Sequence, residues 1–299
     1  MRLNEYDHIF IIGSTKCGST ALFKYLDAHP EIEGTVIKES RFFLDEAYPL
    51  QKEKLNSFSD YFSSTNEGLI KLDSTPDYLY CENSAESIKK YVDSVAGNSL
   101  IIVIVREPLS RLISYYNYGV QKDIFGTEFT FNQFVQDSFK GNLKIQHPIS
   151  LAFRQCNYSE YIEKYIEHFG SDNVIVFDAK QLKEAPEEVL TEISKKVSII
   201  PKFYKNYNFA MYNETIVPKN RLIGQLYNKS EQLIRERINS SSIFFSFLAK
   251  MKPYVDFLYK KVNGATKDVQ LDSYTLSEIV KLIKTEKARL NRIGVSVKW

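Results

Sequence analysis

The sequence predicts an α/β fold: a P-loop-like, doubly wound parallel sheet flanked by helices, with a mostly helical C-terminal third. Three observations predict it. His8–Gly13, HIFIIG, is a short apolar run that ends at a glycine, as a buried parallel strand does. Leu100–Val105 is uninterrupted and largely β-branched, the pattern of a central strand covered on both faces. Strand-like and helix-like stretches then alternate along the chain, the order of repeated βαβ units.

The first unit is the clearest. Over 19–28, Leu22, Phe23, Tyr25 and Leu26 recur at helical spacing. The helix is expected to stop before His29-Pro30, because the residue preceding a proline disfavours the α conformation. Residues 68–75, GLIKLDST, read as a second strand closed by Pro76, and 83–96 as a helix. Residues 99–107 form the strongest strand signal, and Pro108 sits where helices commonly begin. A helix near 158–169, a strand at 173–178, a helix near 186–196 and a last helix near 275–291 complete the pattern. With no internal repeat and no low-complexity linker, 1–299 is expected to be a single domain. The stretch 240–261, SSSIFFSFLAKMKPYVDFLYKK, reads as a helix packed on the sheet, with a peripheral membrane contact as the alternative.

Bulk composition narrows the function classes. At 299 residues, 43% hydrophobic and 25% charged, the chain is that of an ordinary globular protein. A formal charge of +2 argues against a nucleic-acid surface but leaves room for a local basic site. Cys17, Cys81 and Cys156 lie far apart, which argues against a disulfide framework or a zinc site. No apolar stretch approaches the ~20 residues a membrane span needs, and no signal peptide is visible. A cytoplasmic enzyme is the expectation.

The segment 13–20, GSTKCGST, carries the chemistry. Gly13 and Gly18 keep the spacing of G-x-x-x-x-G-K-[ST], but Ser19 stands where the lysine of a nucleotide triphosphatase belongs, and the lysine has moved to Lys16. In a strand–loop–helix the first helical N–H groups lack partners and the helix dipole adds partial positive charge, so a phosphate is stabilised there before side chains contribute. Ser14–Thr20 is therefore a candidate phosphate cradle, with Ser19 and Thr20 adding hydroxyl donors. Lys16, inside the loop, leans towards the bridging oxygen between a 5′-phosphate and whatever it carries. No convincing magnesium-binding acid follows the strong strand. Arg106 stands there instead, with Ser114 eight residues on; arginine at a strand's C-terminal end points into the crevice where open α/β sheets bind ligands, and its planar fork suits phosphate. Arg111, between them, reads as a surface helix residue.

Taken together, FIIGSTKCGSTALFKYLDAHPEI, KESRFF (38–43) and VREPLSRLISYYNY (105–118) resemble the sulfotransferase family, and most of all its heparan-sulfate-type branch with bacterial relatives. The similarity runs weakly from about residue 6 to 299, and the ending GVSVKW resembles the family's usual close. The resemblance implies 3′-phosphoadenosine 5′-phosphosulfate (PAPS) as donor, leaving as adenosine 3′,5′-bisphosphate, with no metal. It implies that Lys16 stabilises the departing phosphate, and that the amides of Thr15, Lys16, Cys17, Gly18, Ser19 and Thr20, next to Ser14, bind the 5′-phosphate. By the same resemblance Arg106 and Ser114 hold the 3′-phosphate, Tyr158 lies near the phosphoadenosine, and Lys219 and Arg221 belong to a variant of the C-terminal cofactor loop. Glu39 matches the base of the heparan-type branch; partial burial beside Phe42 and Phe43 would raise its pKa towards a useful value.

The acceptor side departs from the pattern. In LDSTPDYLY, Ser74 replaces a lysine common in heparan-type enzymes, which disfavours a highly acidic sugar; Asp73, Thr75, Asp77 and Tyr78 remain candidate acceptor contacts. None of the four histidines falls in a motif aimed at Lys16, so each is read as structural. The expected activity is in-line sulfuryl transfer to a hydroxyl, by analogy on a saccharide. The alternatives are a Mg-ATP-dependent P-loop kinase and a non-catalytic glycan-binding protein on the same fold.

Overall fold

The structure is a computed structural model that describes residues 5–50, 54–63, 68–126, 128–209, 217–218, 223–230, 264–265 and 270–299. β1 (His8–Gly13) lies at the centre of a five-stranded parallel sheet. β3 (Ile70–Ser74) and then β2 (Ile32–Gly34) flank it on one side, and β4 (Ser99–Val105) and then β5 (Val174–Asp178) on the other. Every residue of β1 and β4 is buried, as their unbroken apolar runs require.

Strand alternation divides the core between the two faces. Ile9 and Ile11 of β1 pack with Leu22 and Leu26 of α1 (Ser19–Asp27) and with Leu190 and Ile193 of α7 (Pro186–Lys196). Phe10 and Ile12 point the other way, onto Ile88 and Val92 of α2 (Ser84–Ser94) and Ile162 and Tyr165 of α5 (Tyr158–Phe169). A third cluster joins α3 (Pro108–Gln121) and α4 (Phe131–Lys140) to α8 (Ser273–Arg292) through Leu112, Tyr115, Phe131, Phe134, Ile279 and Leu282. Glu286 of α8 is fully buried and accepts from the backbone N–H of Ser159 at 2.6 Å and its hydroxyl at 3.1 Å. That contact satisfies a free N–H at the start of α5 and fixes the helix that carries Tyr158.

The elements read from sequence within the described residues are present, to within a few residues at their ends. Several further elements occur among the described residues, including one strand and two helices. β2 has three residues, too few for any periodicity, and exists because β3 pairs with it from Ile32↔Ile70 to Gly34↔Leu72. α4 is announced by a Thr130–Gln133 capping box, and α6 (Ala179–Glu184) is a short turn begun by Asp178, whose side chain accepts from Lys180 N–H. The stretch 240–261 lies outside the described residues, among which no helix is long and apolar enough to cross a membrane.

The chain leaves β1 towards β2 and β3, then crosses back to β4 on the opposite side. The switch point between β1 and β4 therefore opens at their carboxyl ends, where ligands bind in this architecture. Gly13 sits at that edge because a Cβ there would lie 2.7 Å from Leu79 Cβ. Gly13→Ala is expected to cost ~1–3 kcal/mol by overpacking, read as a lower midpoint in chemical denaturation. An unchanged midpoint would show that the 76–80 turn yields instead.

Candidate active site

Both segments at the switch point are polar. The chain leaves β1 through Ser14, whose N–H bonds the Ile104 carbonyl at 2.8 Å, and turns through Lys16 (φ 69°) into Gly18 (φ 105°) before α1 begins. Gly18 takes the left-handed conformation that glycine tolerates, and no side chain caps the helix start behind it. Thr15 Oγ1 is buried without a hydrogen-bond partner. An uncapped helix start and an orphaned buried hydroxyl on one loop fit an anion.

Lys16 is half-buried, its Nζ 4.7 Å from the centre of the Tyr118 ring. Burial, then the charge of Arg106, push its pKa down to about 8; Lys122 adds to the fall while Cys17 and Glu39 oppose it. Arg106, at the end of β4, donates from Nη1 to the Lys16 carbonyl at 3.2 Å, and its own carbonyl accepts from the Tyr158 hydroxyl at 2.8 Å. Tyr158 is thus buried behind Arg106 and supports it. Ser114 lies half-buried two turns into α3, its hydroxyl making no hydrogen bond among the described residues.

Arg111 is a correction: it is not a surface residue but fully buried, the largest such side chain described. Its Nε donates to Ser14 Oγ at 3.1 Å and to the Thr15 carbonyl at 3.0 Å, so it carries the loop from below. Ser14 Oγ also pairs with the Tyr80 hydroxyl. The spacing Arg111-x-x-Ser114 puts both residues on neighbouring positions of one helix face, which ties Arg111 to the site but carries no sign of its burial.

Glu39 stands across the site on a separate loop. It and Arg41 are non-glycine residues at positive φ (62° and 56°), and with Lys16 they make half of the six such residues described. Strain concentrated in this way marks a functional region. The loop hangs from the end of β3: Ser40 Oγ donates to Asp73 at 2.7 Å, the Tyr78 hydroxyl donates to Asp73 at 2.9 Å, and Arg41 N–H bonds Thr75 Oγ1 at 3.2 Å. Asp77 accepts from the Tyr48 hydroxyl at 3.1 Å. Asp73, Thr75, Asp77 and Tyr78 are all buried, so in this structure they brace the Glu39 loop from within. Ser74 is fully buried and its hydroxyl is unpartnered.

The Glu39 carboxylate, with a side chain 33% exposed, pairs with Arg41 at 3.0 Å and Lys38 at 3.3 Å. Burial works to raise its pKa, but the two cations win and hold it below the ordinary carboxylate value. The expected upward shift from Phe42 and Phe43 is therefore not what occurs. Phe43 is buried against Phe10 and Tyr78, and Phe42, half-buried, packs against Phe58 and Tyr61. Asp77 behaves oppositely, pushed up to about 6 by burial and then by the charge of Glu39.

Among the histidines, His29 bonds the Ile200 carbonyl and Glu31 N–H, His147 caps the turn at Ile149, and His168 bonds the Lys164 carbonyl. The Cys17 side chain is buried. Lys219 and Arg221 lie outside the described residues; the two-residue strand before them, Val217–Pro218, runs beside α3.

Residues 6–197 match the family of the sulfotransferase domain. Among curated proteins, bifunctional heparan sulfate N-deacetylase/N-sulfotransferase 1 of Xenopus tropicalis is 23% identical over 66% of this chain and 22% of its own length. The mouse enzyme 4 of that name is 25% identical over 69% of this chain and 24% of its own. The chain thus matches less than a quarter of the length of these relatives. A crystal structure of a sulfotransferase from Alicyclobacillus acidocaldarius superposes with a TM-score of 0.57 and 19% identity, covering 73% of this chain and 88% of that one. The α/β sheet, the loop at its switch point and the family match over 6–197 agree: this chain belongs to the sulfotransferase family.

Proposed function

We propose that this protein transfers a sulfuryl group from PAPS to a saccharide hydroxyl. The observation that carries the reading is the half-buried Lys16 at the mouth of an uncapped helix start, with Arg106 bonded to its carbonyl. PAPS, when bound, supplies the sulfuryl group on its 5′-phosphate. The amides of 15–20, with Ser19 and Thr20, bind that phosphate; Arg106 and Ser114 hold the 3′-phosphate, with Tyr158 supporting Arg106 from behind. The Lys16 ammonium lies against the bridging oxygen and neutralises the charge that builds there, a preorganised electrostatic role. Glu39 takes the acceptor proton as the oxygen–sulfur bond forms, which requires Lys38 or Arg41 to loosen its hold.

The saccharide acceptor is supported by the heparan sulfate named in the curated relatives. Their names specify N-sulfation, so an amine is the competing acceptor, and identifying the product labelled by radioactive PAPS in a cell extract decides between them. Calorimetry separates the donor from its rival: adenosine 3′,5′-bisphosphate should bind and ATP with Mg²⁺ should not. The reverse result would make the protein a kinase-like enzyme. A cytoplasmic location is part of the same proposal, tested by fractionation.

The protonated Lys16 is the active form, and its depressed pKa sets the pH window. In the free enzyme the ammonium persists below about 8 and is lost above it, so kcat/KM should fall on a basic limb near that pH. The bound phosphate favours the ammonium, so the limb in kcat should lie higher. A kcat/KM profile flat to pH 10 would remove Lys16 from the chemistry.

A further inference from the structure

We propose that Arg111 is a positioning residue whose buried charge is left unpaired by the protein and is matched by the anionic donor bound above it; this rests on the PAPS reading. Its five hydrogen bonds all reach neutral acceptors: Ser14 Oγ and the Thr15 carbonyl from Nε, the Ala152 carbonyl at 2.9 Å and Cys156 Sγ at 3.4 Å from Nη1, and Gln155 Oε1 at 3.0 Å from Nη2. The faces of Tyr80 and Tyr115 cover it, with ring centres 5.6 and 5.2 Å away. The phenol and thiol groups around it are neutral at pH 7, because burial raises the pKa of Tyr80, Tyr115, Tyr158, Cys17 and Cys156. Asp77, raised to about 6 and so ionised at pH 7, feels its charge but makes no hydrogen bond to it, accepting from the Tyr48 hydroxyl instead.

A guanidinium does not lose its proton, so burying one without an anion is costly unless a ligand completes it. The two groups it touches through Nε, Ser14 and Thr15, open the phosphate loop, so its charge stands one backbone layer from the expected 5′-phosphate. It therefore holds the shape of the loop through hydrogen bonds and contributes affinity through charge. Lys16 and Arg106 face the ligand directly, whereas Arg111 acts through the loop.

Gln155→Glu separates the two contributions. It gives Nη2 a carboxylate partner while the bonds to Ser14 and Thr15 stay in place. The expected result is an apo protein as stable as the parent or more so, with affinity for adenosine 3′,5′-bisphosphate weakened about tenfold, since a neutralised charge several Å away through an effective dielectric near 20 is worth at least that. Gln155→Leu, which removes the same acceptor without adding charge, should lower the melting temperature and leave affinity within about twofold. Affinity and stability moving in opposite directions is a signature that a purely structural arginine cannot give. Parental affinity in Gln155→Glu, or equal weakening in both variants, overturns the proposal. Failure of the parent protein to bind the bisphosphate at all overturns instead the donor reading beneath it.

Discussion

Lys16→Ala is expected to slow sulfuryl transfer ~100-fold or more, equivalent to losing about 3–4 kcal/mol of preorganised charge stabilisation. The effect should fall on kcat, because the amides of the loop and Arg106 remain to bind the nucleotide. Affinity for adenosine 3′,5′-bisphosphate should drop much less than turnover. The half-buried setting makes the prediction sharp: Lys16 lies over Tyr118 and beside Arg106, where water screens it poorly. Near-normal turnover with PAPS would sink the mechanism and leave the loop as a binding feature alone.

Glu39→Gln is expected to reduce turnover ~10²–10⁴-fold, the range for a positioned general base, with bisphosphate affinity almost unchanged. Because Lys38 and Arg41 hold the carboxylate below its ordinary value, 4.5, the acidic limb of the profile should lie lower still. On the proposed mechanism Glu39 is thus ionised over the whole neutral range but intrinsically weak as a base, and becomes effective when the acceptor displaces one of its cations. Asp77, raised to about 6, is the comparison: Asp77→Asn should leave most of the activity. If the two variants exchanged outcomes, the buried aspartate would be the base and Glu39 its neighbour.

The sheet was legible because its signals are local. HIFIIG and SLIIVIVRE are long enough to declare buried parallel strands, and the glycine loop between strand and helix carries its own chemistry. The donor half of the candidate site was legible for the same reason. Arg111 was not, because its burial depends on Ala152, Gln155 and Cys156, forty residues away in sequence and brought under the loop by the third core cluster. Glu39 was found as a residue and misjudged in its electrostatics: KESRFF shows the cations at 38 and 41, but only the left-handed turns at Glu39 and Arg41 wrap them around the carboxylate. The support of that loop by Asp73, Thr75 and Tyr78 joins positions more than thirty apart, beyond any pattern a spacing argument can read.

That support has an evolutionary consequence. The loop bearing Glu39 is hung from the end of β3, while the phosphate loop rests on Arg111 of α3 and on Arg106 at the end of β4. On the proposed mechanism the two halves of the reaction are therefore mounted on opposite sides of the central strand. On that reading, changes in the loop that bears Glu39 would alter the acceptor side while the hydrogen bonds of Arg106 and Arg111 that hold the donor side stay in place. A lineage built on this frame can exchange one acceptor for another while its donor chemistry stays fixed.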